Sequence, residues 1–386
     1  MNDFDDCKRK TMNRLITRTI PSILVASLIS VLAACKSHDA INFEANTKDE
    51  LIEFIDGNAG QVVSISVVDA DKTYQYHLGT LSNGETPNNQ TLYEIGSITK
   101  TYTGLVVAKA IQDGKVELDK DIRQYLKDDE YKNLELSNRY ITLRHLLTHT
   151  SGLPYSFAVS REDIEQGRYF EKISKYTRAD YFNDLKAVTL SSIPGEDYVY
   201  SSVGTNLAAY IVESVYQKPF ETLLTDIITS KSGELNTKFR RAHSEVSKVT
   251  IGSDGNGNQM PLASAYWYAG GGLTSDLESM THYMRHQLSS EPEVAISHQL
   301  VEQSWMGQGT AFYWNTTQDD SNEIMLYQSG GSMGTSSWLA IYPKQNIGIF
   351  IVTNLAKSNT QEALEAISEQ VFDHLIAYKK AIKPNS

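Results

Sequence analysis

Cysteine is nearly absent from this 386-residue chain, which has two, Cys7 and Cys35. Cleavage before Cys35 leaves one, so the body of the protein has no disulfide and no thiolate metal site. Its stability must come from its core. Positive charge is also short: 35 Lys and Arg stand against 47 Asp and Glu, a net charge of −12. Residues 1–34 hold five basic and three acidic groups, and their removal moves the charge to −14. So acidic a surface argues against nucleic acid, which needs clustered cations to displace counterions. After the N-terminal region no apolar run approaches the roughly 20 residues that span a bilayer. No internal repeat and no low-complexity tract is present.

What is there begins with the N-terminus. Lys8, Arg9, Lys10, Arg14 and Arg18 precede a short apolar run, Ile23 to Ala34. This reads as a secretory signal over residues 1–34, too short for a membrane span. Leu32-Ala33-Ala34-Cys35 resembles a bacterial lipobox, after which Cys35 is lipidated and becomes the new N-terminus. Met12 is an alternative start, since Asp3, Asp5 and Asp6 are unusual in a signal. The expectation is an exported envelope protein, facing the periplasm or cell surface, held to the membrane by lipid alone.

About 350 further residues are enough for two structural units and a sizeable core. Residues 35–47 read as a polar tether, and Asp49 to Ile55 as a short amphipathic helix. Gln61 to Val68 and Thr73 to Leu78 are β-branched or aromatic runs around Asp69-Ala70-Asp71-Lys72, the pattern of a hairpin. Thr101 to Gln112 is helical by period and ends at Asp113-Gly114. From about 115 to 259 the chain reads as helix and loop. Strand-like runs return at Ile324 to Tyr327, Ser337 to Tyr342 and Ile347 to Thr353. A terminal helix, Asn359 to Tyr378, places Leu364, Ile367, Val371 and Leu375 on one face. A sheet built from about 48–114 and 260–386, interrupted by a helical insertion, fits this order.

Tyr93-Glu94-Ile95-Gly96-Ser97-Ile98-Thr99-Lys100-Thr101 sets a serine three residues ahead of a lysine at a helix N-terminus. Residues three apart share a helix face, so the Lys100 amine can lie beside the Ser97 hydroxyl. A serine hydroxyl is a weak nucleophile until a base takes its proton. A lysine is that base when burial or another cation lowers its pKa. A bare S-x-x-K arises about once by chance in a chain this long. Two further segments add weight. Pro194 to Gly204 places Tyr200 in a turn before a helix, where its phenol can face a cleft and act as base or proton relay once a cation lowers its pKa. Tyr327 to Gly334 contains Gly330 and Gly331, which let a substrate approach an edge strand and present N–H groups to an oxyanion.

Together these segments resemble the serine beta-lactamase and penicillin-binding-protein superfamily, in particular its class C beta-lactamase, D-aminopeptidase and carboxylesterase branch. That branch carries S-x-x-K, then Y-x-N, then K-T-G or H-x-G on a strand. The order here is Ser97 and Lys100, Tyr200, then Gln328-Ser329-Gly330. Leu146 to Pro154 is similar to its L-L-T-H-T-S-G-L-P run, Asp113 to Asp119 to its turn after the nucleophile helix, and Ala269 to Ser275 to its A-G-G-L-x-S segment. The resemblance covers about residues 48 to 376. It implies an α/β (α+β) fold with a mixed, mainly antiparallel sheet flanked by helices and an inserted helical domain. It also implies a serine hydrolase acting on a small molecule or peptide, peptidoglycan among them, with no cofactor and no metal. Ser97 would be acylated, Lys100 and Tyr200 would share proton transfer, and the N–H groups of Ser97 and Gly331 would hold the oxyanion. The substrate would be an amide, a beta-lactam or an ester.

Two positions depart from the family pattern. Ser202 stands where asparagine is usual, replacing an amide that orients substrate. Gln328 stands where lysine or histidine is usual, removing a cation that holds a substrate carboxylate. A hydrogen bond to a charged group contributes roughly 1.5–3 kcal/mol and a neutral one about 0.5–1.5, so carboxylate selectivity should fall about tenfold.

Other readings weigh less. Gly330-Gly331-Ser332-Met333-Gly334 matches the G-x-S-x-G elbow, but Thr335 to Tyr342 reads as strand where helix is required. His145 and His149 are four apart, yet Leu146 occupies the glutamate position of H-E-x-x-H. They read as structural histidines beside the active-site loop. The remaining rival is a weakly active or inactive lipoprotein that binds or senses a cell-wall ligand, motivated by Gln328 and Ser202.

Overall fold

The computed structural model describes residues 42–382 apart from 59, 127–129, 241–242, 247, 263, 304–307 and 319–322. The signal segment and Cys35 lie outside the described residues. Helix α1 (Phe43–Asp56) opens on Asn42, whose side chain accepts from Ala45 N at 3.2 Å. The tether expected to reach residue 47 is therefore corrected, because its last five residues are helix. Phe43 and Thr47 are buried, and the Phe43 ring meets Tyr74 edge-on at 4.9 Å. Apolar surface in the first turn docks the helix where a tether would stay free.

Strands β1 (Val62–Asp69) and β2 (Lys72–Gly79) form the expected hairpin, with Asp69 paired to Lys72 across the turn. Helix α2 (Thr99–Gln112) follows a single 3-10 turn, Gly96–Ile98, which carries Ser97. Nearly all of α2 is buried, including its polar residues Thr99, Lys100, Thr101 and Thr103. Between residues 115 and 300 the chain is mostly helix and loop. The elements there that bear on the site are α3 (Leu143–Leu147), α4 (Tyr169–Lys175), α5 (Ser202–Tyr216) and α6 (Leu277–Gln287).

Six strands follow: β3 (Glu302–Gln303), β4 (Gly309–Thr310), β5 (Asn315–Gln318), β6 (Ile324–Gly331), β7 (Ser336–Tyr342) and β8 (Ile347–Thr353). Helix α7 (Thr360–Ile382) ends the described chain. The sheet runs β3-β4-β5-β6-β7-β8-β1-β2, so the N-terminal hairpin adds beside the C-terminal strand, and every pairing is antiparallel. The fold is mixed α/β, with this sheet flanked by helices.

Alternation along the strands divides the core in two. Val63, Ile65 and Val67 of β1 and Ile347, Ile349 and Ile351 of β8 face α1 and α7, where Leu364, Ile367, Val371 and Leu375 cover them. Phe350 and Val352 turn to the other face, into the core built with α2, α5 and α6. A short three-stranded patch, Tyr93–Glu94 with Leu273–Ser275 and Lys238–Phe239, ties the helical region to the segment just before Ser97.

The edge-strand reading of Gly330 and Gly331 needs correction. Strand β6 lies inside the sheet, between β5 and β7. However, β5 pairs only with Ile324 to Tyr327, so Gln328 to Gly331 run beyond it and are open on that side. A short neighbour exposes the end of an interior strand.

Candidate active site

Gly96 has φ +51°, a left-handed conformation that favours glycine and makes the sharp entry into the Ser97 turn. A Cβ there would stand 2.5 Å from Gly331 N, so the nucleophile turn and the end of β6 touch backbone to backbone. Gly330 is glycine for a related reason. A Cβ at that position would lie 2.1 Å from Ile95 O and 2.3 Å from Ser337 Oγ. Its role is to let the strand close on the Ser97 turn, in place of the substrate approach expected from sequence. Gly331 is exposed, and α7 reaches this strand end through Gln361 Nε2, which donates to Gly330 O at 2.8 Å.

Lys100 lies one turn into the helix and is 1% exposed. Its Nζ sits 3.2 Å from Ser97 Oγ and 3.3 Å from Ser202 Oγ, and it donates to Gly270 O. As an ammonium it has three donors for these three oxygens. As a neutral amine it donates to Gly270 and Ser202 and keeps a lone pair for the Ser97 hydroxyl. Burial pushes the Lys100 pKa down from 10.5 to about 7, so both forms are populated at neutral pH. Of the two causes anticipated, burial is the one found. The Gly270 backbone is itself anchored through its N–H, which donates to Asn206 Oδ1 on α5 at 3.1 Å.

Tyr200 precedes the Ser201 cap of α5, where Ser201 Oγ accepts from Gly204 N at 2.8 Å. Its ring lies under the Lys100 amine, 4.7 Å from Nζ to the centroid, and packs on the His149 ring at 4.4 Å. The expected fall in the phenol pKa is not found. Burial raises it to about 12, against the smaller lowering by hydrogen bonds with Ser97 and Gln328. The physical reason is that desolvation penalises a phenolate, while the neighbouring cation is itself half neutralised. Tyr200 therefore keeps its proton at neutral pH.

Gln328 is 4% exposed and held at both ends of its amide. Its Nε2 donates to Ser329 O at 3.2 Å, and its Oε1 accepts from Asn315 Nδ2 at 3.1 Å. A hydrogen bond with Gln328 lowers the Tyr200 phenol pKa, the direction a donor to the phenol oxygen gives. Ser329 is corrected as a site side chain. Alternation turns it with Tyr327 towards the α7 face, and only its carbonyl takes part. Ser202, in the asparagine position, reaches Lys100 directly.

His149 stands at φ +58°, beyond the end of α3, and its Nδ1 accepts from Ser201 N at 3.1 Å. Burial and then the charge of Lys100 hold its pKa well below the usual value, so the ring is neutral. His145 caps the other end of α3, its Nδ1 accepting from Thr142 N at 3.1 Å. The two histidines do separate structural tasks. Asn315, Asn206 and Gln361 are contributors that the sequence alone does not single out.

A family model described as Beta-lactamase matches residues 51–372. Protein flp of Staphylococcus aureus (strain N315) is 25% identical over 299 residues, covering 74% of this chain and 57% of that protein. This chain thus spans little more than half the length of that relative. The D-alanyl-D-alanine-carboxypeptidase/endopeptidase AmpH of Escherichia coli (strain K12) is 22% identical over 371 residues, covering 86% of this chain and 89% of that one. Among solved structures, a Beta-lactamase/D-alanine Carboxypeptidase from Yersinia pestis complexed with citrate superposes with a TM-score of 0.72 at 22% identity, over 86% of this chain and 98% of the other. With the model matching most of its length, this chain belongs to the beta-lactamase family, a family of serine hydrolases.

Proposed function

We propose that the protein hydrolyses an ester or amide through an acyl-enzyme on Ser97. The observation that carries this is the buried Lys100 amine, 3.2 Å from Ser97 Oγ with a pKa near neutrality. Neutral Lys100 takes the hydroxyl proton as Ser97 Oγ bonds to the substrate carbonyl carbon. The N–H groups of Ser97 and Gly331 receive the oxyanion; one such donor typically contributes about 3–4 kcal/mol. Tyr200, which retains its proton, gives it to the departing heteroatom as the carbonyl–heteroatom bond breaks. The tyrosinate and the ammonium left behind exchange a proton and return to rest. Water then cleaves the acyl-enzyme by the same steps in reverse.

We assign Lys100 as base and Tyr200 as acid because burial lowers the amine to about 7 and raises the phenol to about 12. Gln328 supports it by donating to the phenol oxygen, which leaves the phenol hydrogen free to point at the reacting atoms. Gln328 brings no charge, so substrates without a carboxylate fit the site better than penicillin-type or D-Ala-D-Ala substrates. Peptidoglycan fragments remain within the proposed substrate range. We further propose that the mature protein is exported and tethered through a lipid on Cys35. Cys35→Ser should then release it from membranes into the soluble fraction.

A fluorophosphonate, which mimics the acyl-transfer transition state, tests the central reading. Intact-mass and peptide analysis should find one adduct, on Ser97, and none in Ser97→Ala. A folded wild-type protein that takes no adduct and turns over no ester overturns it.

A further inference from the structure

An unbroken row of aromatic rings starts at Tyr200 and runs out of the site. The Tyr155 ring stacks on Tyr200 at 6.2 Å and 27°, and Trp267 follows at 5.3 Å from Tyr155. Trp267 is fixed from behind, its Nε1 donating to Tyr169 OH at 2.6 Å. Tyr169 belongs to a small apolar cluster, with Val159 and Ile173, that also packs Trp267 and Met333. This cluster is separate from the two main cores and joins α4 to the loop just past Gly331.

Tyr155 is held by its backbone, where Ser202 N donates to Tyr155 O at 3.2 Å, yet the residue is 49% exposed. Tyr198, whose ring meets His149 edge-on at 5.8 Å, is 56% exposed. Tyr155 and Trp267, in line with the buried Tyr200, form an aromatic wall whose Tyr155 face is open to solvent. Aromatic surface beside a reactive side chain is what an apolar group of a ligand can cover. Because Tyr200 is the group that protonates the departing atom, this wall lies where the leaving group must pass. Gln328, which stands where the sequence pattern expects a cation, has its neutral amide engaged at both ends, and the Lys100 amine over Tyr200 already donates to Gly270 O. A carboxylate pressed against these rings would lose hydration, and Gln328 offers it no charge in return.

We infer that the site selects substrates whose leaving group bears an uncharged aromatic ring, seated against Tyr155 and Trp267. This rests on the acyl-enzyme reading and names the substrate class for it. With a benzyl ester, the bond from Ser97 Oγ to the acyl carbon forms as the acyl–oxygen bond breaks. Tyr200 supplies the proton that makes benzyl alcohol, and water then releases the acid. No redox step and no co-reactant other than water is involved.

The test compares kcat/KM for benzyl acetate, methyl acetate and the acetate ester of glycolate. All three form the same acetyl-enzyme, and benzyl alcohol and methanol are nearly equal as leaving groups, so the ratio reads recognition during acylation. Benzyl acetate should exceed methyl acetate by about tenfold or more, the worth of a stacked ring pair plus its burial. The glycolate ester should fall below methyl acetate. The benzyl-to-methyl ratio should drop to about threefold or less in Tyr155→Ala and in Trp267→Ala, and be kept in Tyr155→Phe, which retains the ring. Because the readout is a ratio, a general loss of activity cancels, and fluorophosphonate labelling of Ser97 reports that each variant is folded. A wild-type ratio near one, or a ratio unchanged by both alanine variants, overturns the inference while labelling leaves the acyl-enzyme reading standing. Absence of labelling together with no turnover of any ester removes both.

Discussion

Lys100→Met should make the protein more stable and slow acylation by orders of magnitude, and the gain in stability should shrink as pH rises. Methionine is unbranched, close to lysine in length and uncharged, so it keeps the packing at a site that is 1% exposed. Moving the amine from 10.5 to about 7 corresponds to about 5 kcal/mol of unfavourable burial below pH 7, at roughly 1.4 kcal/mol per pKa unit. Against this, the variant leaves Gly270 O and Ser202 Oγ without their donor, a penalty of about 1–3 kcal/mol. The net expectation below pH 7 is a stabilisation of about 2–4 kcal/mol. The sign with pH follows from linkage. Between about pH 7 and 10.5 the unfolded lysine is protonated and the folded one is not, so the wild type gains stability as pH rises through that window. Below pH 7 both states are protonated and the difference is flat. Urea unfolding of both proteins at steps from pH 6 to 9.5 measures this. The stability difference should close by up to about 1.4 kcal/mol per pH unit above pH 7.5. Parallel curves across that range would refute the depressed amine, and with it the identity of the base.

Two further variants separate the other roles. Tyr200→Phe should slow acylation by alkyl esters and amides by about 10²–10⁴-fold, since their departing atoms need a proton. It should spare p-nitrophenyl esters, whose leaving group needs none; equal losses on both substrate types count against Tyr200 as acid. Gln328→Glu keeps the shape but exchanges the donor facing Tyr200 for an acceptor that competes for the phenol hydrogen. Acylation of a methyl ester should fall at least about tenfold. Activity unchanged in this variant would show that the orientation of the amide does not matter.

Much of the scaffold was legible because its signals are local. Ile347 to Thr353 is a run of β-branched and aromatic residues, and it is strand β8 to the residue. The face Leu364, Ile367, Val371 and Leu375 is the buried stripe of α7. The pairing of Ser97 with Lys100 follows from helix spacing alone. What was not legible depends on residues distant in sequence. The start of α1 lies in a polar stretch, and only the docking of Phe43 on Tyr74 makes it helix. The sign of the Tyr200 shift is decided by burial, which a motif does not encode. Asn315 and Gln361 carry no local pattern, and they matter because β5 and α7 bring them to Gln328 and Gly330. Gly330 was legible as a glycine but not for its reason, the closeness of Ile95 O.

The pH dependence of kcat/KM for a neutral alkyl ester tests the central claim most directly, because it reports the ionisation of the free enzyme's base. The account predicts a rate that rises with pH through a single ionisation near 7, and no such limb in Lys100→Met. A limb near the ordinary lysine value of 10.5, or a limb near 7 that survives in Lys100→Met, would contradict it.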